Sequence, residues 1–454
     1  MKIIIVGCGK VGRSLAAKLN EEGHDVVVVD QNREKVTDVC NKYDILGVIG
    51  NGATREVQME AGIDSADLLI AVTGSDELNL LSCVMAKKKG NCHTVARVKN
   101  PVYATDASYL RDELGLNMVI NPEYAAAKEI SSILSFPTAI NIESFAKGRV
   151  ELLTFKLPQA SPLIGLSVKE AVSKYKLKNK VLFCAVERAE EANIPHGDFL
   201  FAERDLISII ASPKSALDFF SKIDYRIQPV KNAIAVGSGN LVHYLCERLI
   251  GSGVNLTVID DNEKECEELS VKYGEVKVVK ATPSDKDTLM EEGIENSDAF
   301  ISLTEQDEEN ILLSLFAAEK GTKKLVTKIN KPEYDGIIQK LELGSLIYPA
   351  SITTNMITRY IRAMSNTLGS NMEALYYIVK GKVEAAQFTV GEGSPISGVP
   401  LSSLKFKSGV LIAAILRGRS LIIPTGDAVI NPHDSVIVVS KQQKLYDVSD
   451  VLAK

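Results

Sequence analysis

The sequence predicts an α/β protein made of two tandem repeats, each a doubly wound, Rossmann-like parallel-sheet domain followed by a small α+β domain. Three observations carry that expectation. A glycine turn, GCGKVG at residues 7–12, joins a strand-like run to a helix-like one. The arrangement returns with one register: Gly237 − Gly7, Gly239 − Gly9 and Asp260 − Asp30 all equal 230. Short Val/Ile-rich runs alternate with amphipathic stretches, the pattern of a parallel sheet covered on both faces.

In the first repeat KIIIVG, VVVVD, ILGVIG, LLIAVT, TVARV and NMVI read as strands. Val11, Leu15 and Leu19 recur at helical spacing, and ELNLLSCVMAKKKG reads as a helix whose closing lysines and Gly90 suit its dipole and C-cap. VELLTFKL, VLFCAVER and DLISIIAS then form a strand-rich module with one or two small helices. After one insertion the register becomes 231. It pairs Gly62 with Gly293, Asp67 with Asp298, Thr73 with Thr304, Asp76 with Asp307, Asn79 with Asn310 and Arg97 with Lys328, and continues through Pro101/Pro332 and Tyr103/Tyr334. The modules repeat too, SPLIGLS at 161–167 answering SPISGVP at 394–400. A period this long means duplicated domains, expected at 1–136, 137–226, 227–366 and 367–454, and invites pseudo-twofold pairing within the chain.

Composition bounds the function. The 454 residues carry 52 Lys and Arg against 58 Asp and Glu, a net charge of −6, which gives no footprint for general nucleic-acid binding. No apolar run approaches the roughly 18 residues of a membrane span, and Met1 leads into a strand rather than a signal peptide, so a cytosolic chain is expected. The seven cysteines are scattered, with no CxxC, and Cys92 beside His93 reads as a half-buried strand edge. The five histidines form no metal set, and Lys87 to Lys89 read as a solvated helix cap.

The first glycine turn has the parts of a dinucleotide site. Gly7 permits the turn, Gly9 lets the backbone approach a diphosphate, Gly12 lets the helix pack against the strand, and the helix start offers free N–H groups. Asp30, eighteen residues after Gly12, can accept from ribose hydroxyls and disfavours a 2′-phosphate. NAD or NADH is therefore preferred to the 2′-phosphorylated forms, while ATP or ADP stays open. Thr73 and Thr304 end strands at the carboxyl edge where ligands of such sheets lie. Arg97 and Lys328 meet either a phosphate or a structural partner in Asp76 or Asp307.

The second turn keeps Gly237, Gly239 and Asp260, with Ser238 and Asn240 inside it, but Val242 replaces the third glycine. That side chain is expected to push the helix from the strand and weaken the site. Asn51-Gly52-Ala53 becomes Ala281-Thr282-Pro283, losing a flexible polar turn. Nothing resembles a catalytic nucleophile motif, and duplicated binding units with small modules suit a ligand-reading switch better than a catalyst.

The run AGIDSADLLIAVTGSDELN with RVKNP and NPE resembles the nucleotide-binding domain of the RCK (or KTN) regulators of potassium channels and transporters, and SPLIGLS with IPHGDFLFAERDLISIIA resembles their C-terminal domain. The resemblance spans almost the whole chain. It implies a non-enzymatic cytosolic regulator, peripheral to the inner face of the membrane. Such a chain would assemble into a homo-oligomeric ring, a tetramer or a dimer of pseudo-dimers. It would bind NAD(H) and ATP or ADP, and gate a separate membrane-embedded potassium transporter subunit. By the same resemblance the nucleotide contacts fall on Gly7, Cys8, Gly9, Lys10, Val11 and Gly12, on Asp30, on Asn51, Gly52, Ala53 and Thr54, and on Thr73, Gly74 and Arg97. An NAD-dependent oxidoreductase and a regulator of another cation transporter remain the alternatives.

Overall fold

The computed structural model describes residues 1–453 except 90–91, 102, 104–110, 137–138, 190, 225–228, 332–334, 339–340, 342, 366–370, 379–381 and 442–444. Gly90, Pro332, Tyr334 and the domain bounds expected at 137, 226–227 and 366–367 lie outside the described residues. The chain divides into two compact units, residues 1–131 with 230–357, and residues 132–229 with 358–454.

The first unit holds two six-stranded parallel sheets. One comprises β1 (Lys2–Val6), β2 (Asp25–Asp30), β3 (Leu46–Ile49), β4 (Leu68–Ala71), β5 (His93–Arg97) and β6 (Met118–Ile120), in spatial order β3-β2-β1-β4-β5-β6. Its helices are α1 (Lys10–Glu21), α2 (Arg33–Tyr43), α3 (Arg55–Glu60), α4 (Asp76–Lys89) and α5 (Pro122–Ser135). The order reverses between β1 and β4, so a crevice opens at the carboxyl ends of those strands, beside the glycine turn. Ile3, Ile4 and Ile5 are fully buried because α-helices cover both faces, each such side chain contributing about 1.5–3 kcal/mol.

The second unit holds the small modules. The first has β7 (Asn141–Phe145), β8 (Val150–Lys156), α6 (Val168–Lys174), β9 (Val181–Arg188), β10 (Glu191–Asn193), β11 (Leu206–Ala211) and α7 (Pro213–Lys222), with its antiparallel sheet ordered β10-β9-β11-β8-β7. In the other repeat, β12 (Asn232–Val236), α8 (Asn240–Leu249), β13 (Asn255–Asp260), α9 (Glu263–Lys272), β14 (Lys277–Lys280), α10 (Lys286–Glu291), β15 (Ala299–Ser302), α11 (Asp307–Glu319), β16 (Lys324–Lys328), α12 (Asp335–Ile338), β17 (Ser345–Ile347) and α13 (Pro349–Ser365) rebuild the parallel sheet in the first unit, as β14-β13-β12-β15-β16-β17. The last module has β18 (Asn371–Ile378), β19 (Val383–Thr389), β20 (Val410–Arg417), β21 (Ser420–Ile422) and β22 (Ser435–Lys441), ordered β18-β19-β22-β20-β21. Read from the other edge, this is the order of the first module.

The residues that mark the repeat are largely structural. Asp67 and Asp298 each accept a backbone N–H at the start of a first strand, from Lys2 at 2.7 Å and Asn232 at 3.0 Å. Gly62 and Gly293 both stand at φ +80°, a left-handed position that favours glycine. In the modules Arg188 clasps Asp205 and Arg417 clasps Asp434, the Nη2–Oδ2 distance being 2.7 Å in both.

Pairing of like with like is visible inside each unit. Between the two parallel sheets, Asn121 Nδ2 donates to Tyr244 Oη at 2.8 Å, Tyr244 Oη donates to the Lys99 carbonyl at 3.2 Å, and the rings of Tyr124 and Tyr244 meet edge-on with centroids 5.5 Å apart. Between the modules, Phe145 packs edge-on against Tyr376 at 4.8 Å within a common apolar cluster.

Two outcomes follow from this core. Phe155 is fully buried against Phe219 and Phe220, with centroids 5.9 and 5.1 Å away. Phe155→Ala is expected to cost about 3–5 kcal/mol, seen as a lowered melting midpoint by calorimetry; an unchanged midpoint contradicts the packing. Burial, helped by the charge of Asp30, pushes the Cys8 thiol up to about 12, so it stays protonated at pH 8. Mass spectrometry after iodoacetamide treatment of the folded chain should find Cys40, which is partly exposed, alkylated before Cys8; the reverse order would refute the buried loop.

Candidate functional site

The turn between β1 and α1 is set by close approach. Gly7 stands at φ +108°, and a Cβ there would lie 2.9 Å from the Thr73 nitrogen. A Cβ on Gly12 would lie 1.8 Å from the Gly7 carbonyl oxygen, so the helix can begin here only with glycine at position 12. Gly9 differs from both. Its φ of −73° suits any residue, and nothing lies within 4 Å of where its Cβ would be. Gly9 lines a cavity of about 560 Å³, so glycine at that place leaves room for a ligand rather than for the protein. Gly74, another cavity residue, likewise meets nothing within 4 Å.

The rest of the cradle is held by backbone-directed hydrogen bonds. Asp30 accepts from Cys8 N–H at 2.7 Å and from Asn32 N–H at 2.9 Å, which orients its carboxylate at the cavity edge. Gly52 lines the cavity, and a Cβ on it would lie 2.3 Å from Val6 Cγ1. Asn51 Oδ1 accepts from Ala53 N–H at 3.0 Å and the Asn51 carbonyl from the Thr54 hydroxyl at 2.9 Å, so Asn51, Ala53 and Thr54 shape the turn that presents Gly52. Gln58, buried on α3, donates to the Gly52 carbonyl at 2.7 Å and fixes that turn from below. Cys8 and Gly12 are buried beneath the loop, whereas Gly7, Lys10 and Val11 line the cavity with Gly9.

Thr73 lines the cavity with its hydroxyl engaged, donating to Asn79 Oδ1 at 2.8 Å while Asn79 Nδ2 donates to the Arg97 carbonyl at 2.9 Å. The second repeat copies this clamp: Thr304 Oγ1 donates to Asn310 Oδ1 at 2.9 Å, and Asn310 Nδ2 donates to the Lys328 carbonyl at 3.0 Å. Asp76 and Asp307 spend their carboxylates on backbone N–H groups, and no direct contact with Arg97 or Lys328 is seen among the described residues. Asp76 accepts from the N–H groups of Lys99 and Asn100, each at 2.9 Å, and Asp307 from those of Asn330 and Lys331, each at 2.8 Å. Arg97 instead donates through Nη2 to the Thr73 carbonyl at 2.5 Å, and Lys328 Nζ meets Glu305 Oε1 at 2.5 Å. Cys92 is fully buried rather than half-buried, and the described residues hold no group of three potential metal ligands.

Charge concentrates around the first loop. Lys10, Lys35, Arg97 and Lys99 of the first repeat line the cavity together with Lys328 of the second, against Asp30, Glu123 and Glu305. No acidic residue occupies the first turn of α1, so the positive end of that helix is uncompensated. Burial pushes the Glu123 carboxyl above its ordinary range, with Lys99 Nζ 3.9 Å away opposing that shift. Ser238, Gly239 and Asn240 also line this cavity, so both glycine turns border one space. Lys35, Lys99, Glu123 and Gln58 are absent from the glycine fingerprint and emerge only when the sheet brings four loops together. A diphosphate with its adenosine fits this cradle.

The second cradle differs. Gly237, Asp260 and Thr304 line a separate cavity of about 300 Å³, which Ser238 also borders. Val242 is fully buried, and Gly239 adopts φ +88° with ψ −175°, a conformation essentially restricted to glycine, where Gly9 is ordinary extended backbone. Burial pushes the Asp260 carboxyl upward, while hydrogen bonds from Asn262 and the Ser238 hydroxyl oppose that shift.

The chain matches the family model described as the TrkA-N domain over residues 3–122 and again over 233–349, and that of the TrkA-C domain over 385–453. It is 32% identical over 449 residues to the Trk system potassium uptake protein TrkA homolog 1 of Methanosarcina mazei, covering 97% of each chain. Among solved structures, the GsuK RCK domain superposes with a TM-score of 0.65 at 17% identity, over 97% of this chain and 92% of that one. The GsuK channel bound to NAD does so with a TM-score of 0.64 at 17% identity, over 97% and 77%. At that identity the two structures speak to the fold, which is the tandem arrangement expected from the repeat. The chain belongs to the TrkA family of Trk system potassium uptake proteins.

Proposed function

We propose that this chain is a cytosolic, nucleotide-binding regulatory subunit that gates a separate membrane-embedded potassium transporter. The observation that carries the reading is the first cavity, where a glycine turn, a ribose-accepting carboxylate and five cations from both parallel-sheet domains converge. The chain is not an enzyme, because the family it belongs to consists of potassium-uptake proteins. That removes the oxidoreductase alternative.

The nucleotide, when bound, supplies a diphosphate and an adenosine. Gly7 to Gly12 and the start of α1 offer N–H groups to the diphosphate, and Asp30 accepts from the ribose hydroxyls. Lys10, Lys35, Arg97 and Lys99 would balance the charge of a bound diphosphate. Lys328 and Asn240 come from the second domain, so filling the cavity favours one relative angle of the pair over another. A ligand shifts such an equilibrium only by its differential affinity for the two arrangements. NAD or NADH is the preferred ligand, with ATP or ADP as the alternative, since all present the same adenosine and diphosphate.

No helix among the described residues is long and apolar enough to cross a membrane. We place the potassium path in the partner subunit and this chain at the inner face of the membrane, as a ring-forming homo-oligomer with domains at 1–136, 137–226, 227–366 and 367–454. Asp30→Ala is expected to weaken ADP and NAD binding roughly tenfold or more by calorimetry, the loss of about 1.4 kcal/mol or more; unchanged affinity contradicts the role of Asp30. Rubidium uptake in cells lacking the chain should return with the unaltered protein and fail to respond to nucleotide status with Asp30→Ala. Uptake indifferent to the chain would overturn the reading.

A further inference from the structure

The 230-residue register places Lys35 and Glu265 at the same step of α2 and α9, and Arg13 and His243 at the same step of α1 and α8. Both helices begin alike, on Asn32 Oδ1 accepting from Lys35 N–H at 3.1 Å and on Asn262 Oδ1 accepting from Glu265 N–H at 3.4 Å. The side chains then diverge. Lys35 lines the first cavity as a cation. Glu265 turns toward its own glycine loop, where Oε2 accepts from Gly239 N–H at 3.2 Å and stands 3.5 Å from His243 Nε2.

That N–H belongs to the counterpart of Gly9, and a Cβ on either glycine would meet nothing within 4 Å. In the second loop it is bonded to a carboxylate of the chain, at the place where a phosphate oxygen would have to sit. The bond depends on the glycine-only conformation of residue 239, and Val242 is buried directly behind it in the first turn of α8, whose Val242 and His243 N–H groups both donate to the Gly239 carbonyl, at 3.0 and 3.1 Å. The surrounding charge agrees. Asp260, Asp261, Glu305 and Glu309 line the second cavity, and no lysine or arginine does. A phosphate entering there meets Asp260, Asp261 and Glu309 beside a Glu305 already paired to Lys328, and the Gly239 N–H of the adjoining loop is already in use.

We propose that Glu265 closes the second glycine loop to nucleotide phosphates, so that each chain binds one nucleotide, and that the second parallel-sheet domain serves as a wall of the first cavity. This rests on the reading that the first loop binds a nucleotide. Glu265 is thereby a specificity-determining residue, the counterpart of Lys35 with its charge reversed.

Isothermal titration of the full-length chain with ADP, and separately with NAD, tests it. The unaltered chain should show one binding event per chain, weakened roughly tenfold or more by Asp30→Ala. Glu265→Ala should add a second, weaker event that survives when Asp30→Ala is introduced as well. Glu265→Gln, which keeps the shape and an accepting oxygen while removing the charge, should give that second event at an affinity between the two; it also guards against a folding defect in the alanine variant. A second event in the unaltered chain, or a single event whose affinity Asp30→Ala leaves unchanged, overturns the proposal. So does a single event in both position-265 variants. If the unaltered chain binds neither nucleotide while Glu265→Ala binds one, the proposed function fails and the closure of the second loop stands; binding in none of the variants overturns both.

Discussion

A helix can begin as close to a strand as α1 does only where its third residue lacks a side chain, since a Cβ on Gly12 would stand 1.8 Å from the Gly7 carbonyl oxygen. That approach brings the uncompensated positive end of α1 to the crevice where the strand order of the sheet reverses. Arg97, Lys99 and Lys35 then converge on the same space because β5 and α2 end or begin at that crevice. The cavity is thus a consequence of one forbidden atom. Where the constraint is relaxed, at Val242, the loop takes a different backbone course and the neighbouring carboxylate fills it.

Duplication explains why so much of the register is unrelated to ligand. The Thr73–Asn79 and Thr304–Asn310 clamps tie the ends of neighbouring strands, and Asp76 and Asp307 satisfy N–H groups of the loops that follow β5 and β16. These residues maintain the sheet in both copies. Three of the positions that separate the copies, Lys10 against Asn240, Lys35 against Glu265 and Arg97 against Lys328, touch a cavity or its loop. Gly9/Gly239 and Asp30/Asp260 are shared by both copies, so it is these exchanges around them that set the two loops apart.

Much of this was legible in the residues. The succession of strands, the glycine turn and Asp30 follow from local pattern, because parallel strands buried on both faces must be continuously apolar and a diphosphate loop needs glycine at fixed steps. Lys99, Glu123 and Gln58 were not legible, since their relevance depends on which loops a sheet of this order places side by side. Of the two readings open for Arg97 and Lys328, a direct pair with Asp76 or Asp307 is not formed, for a related reason. A carboxylate at the start of a helix found nearer donors in the backbone after the next strand than in the cation that ends it. The Lys35/Glu265 exchange lay in plain view in the register, but only the bond to Gly239 gives it meaning.

The account turns on where one nucleotide sits. An experimental structure of the full-length chain grown with NAD or ADP addresses this directly. The account predicts diphosphate density on the Gly7–Gly12 loop, ribose against Asp30, Lys328 of the second domain bordering the same ligand, and Glu265 still on Gly239. Nucleotide density on the Gly237–Gly239 loop, with Glu265 displaced, would contradict it.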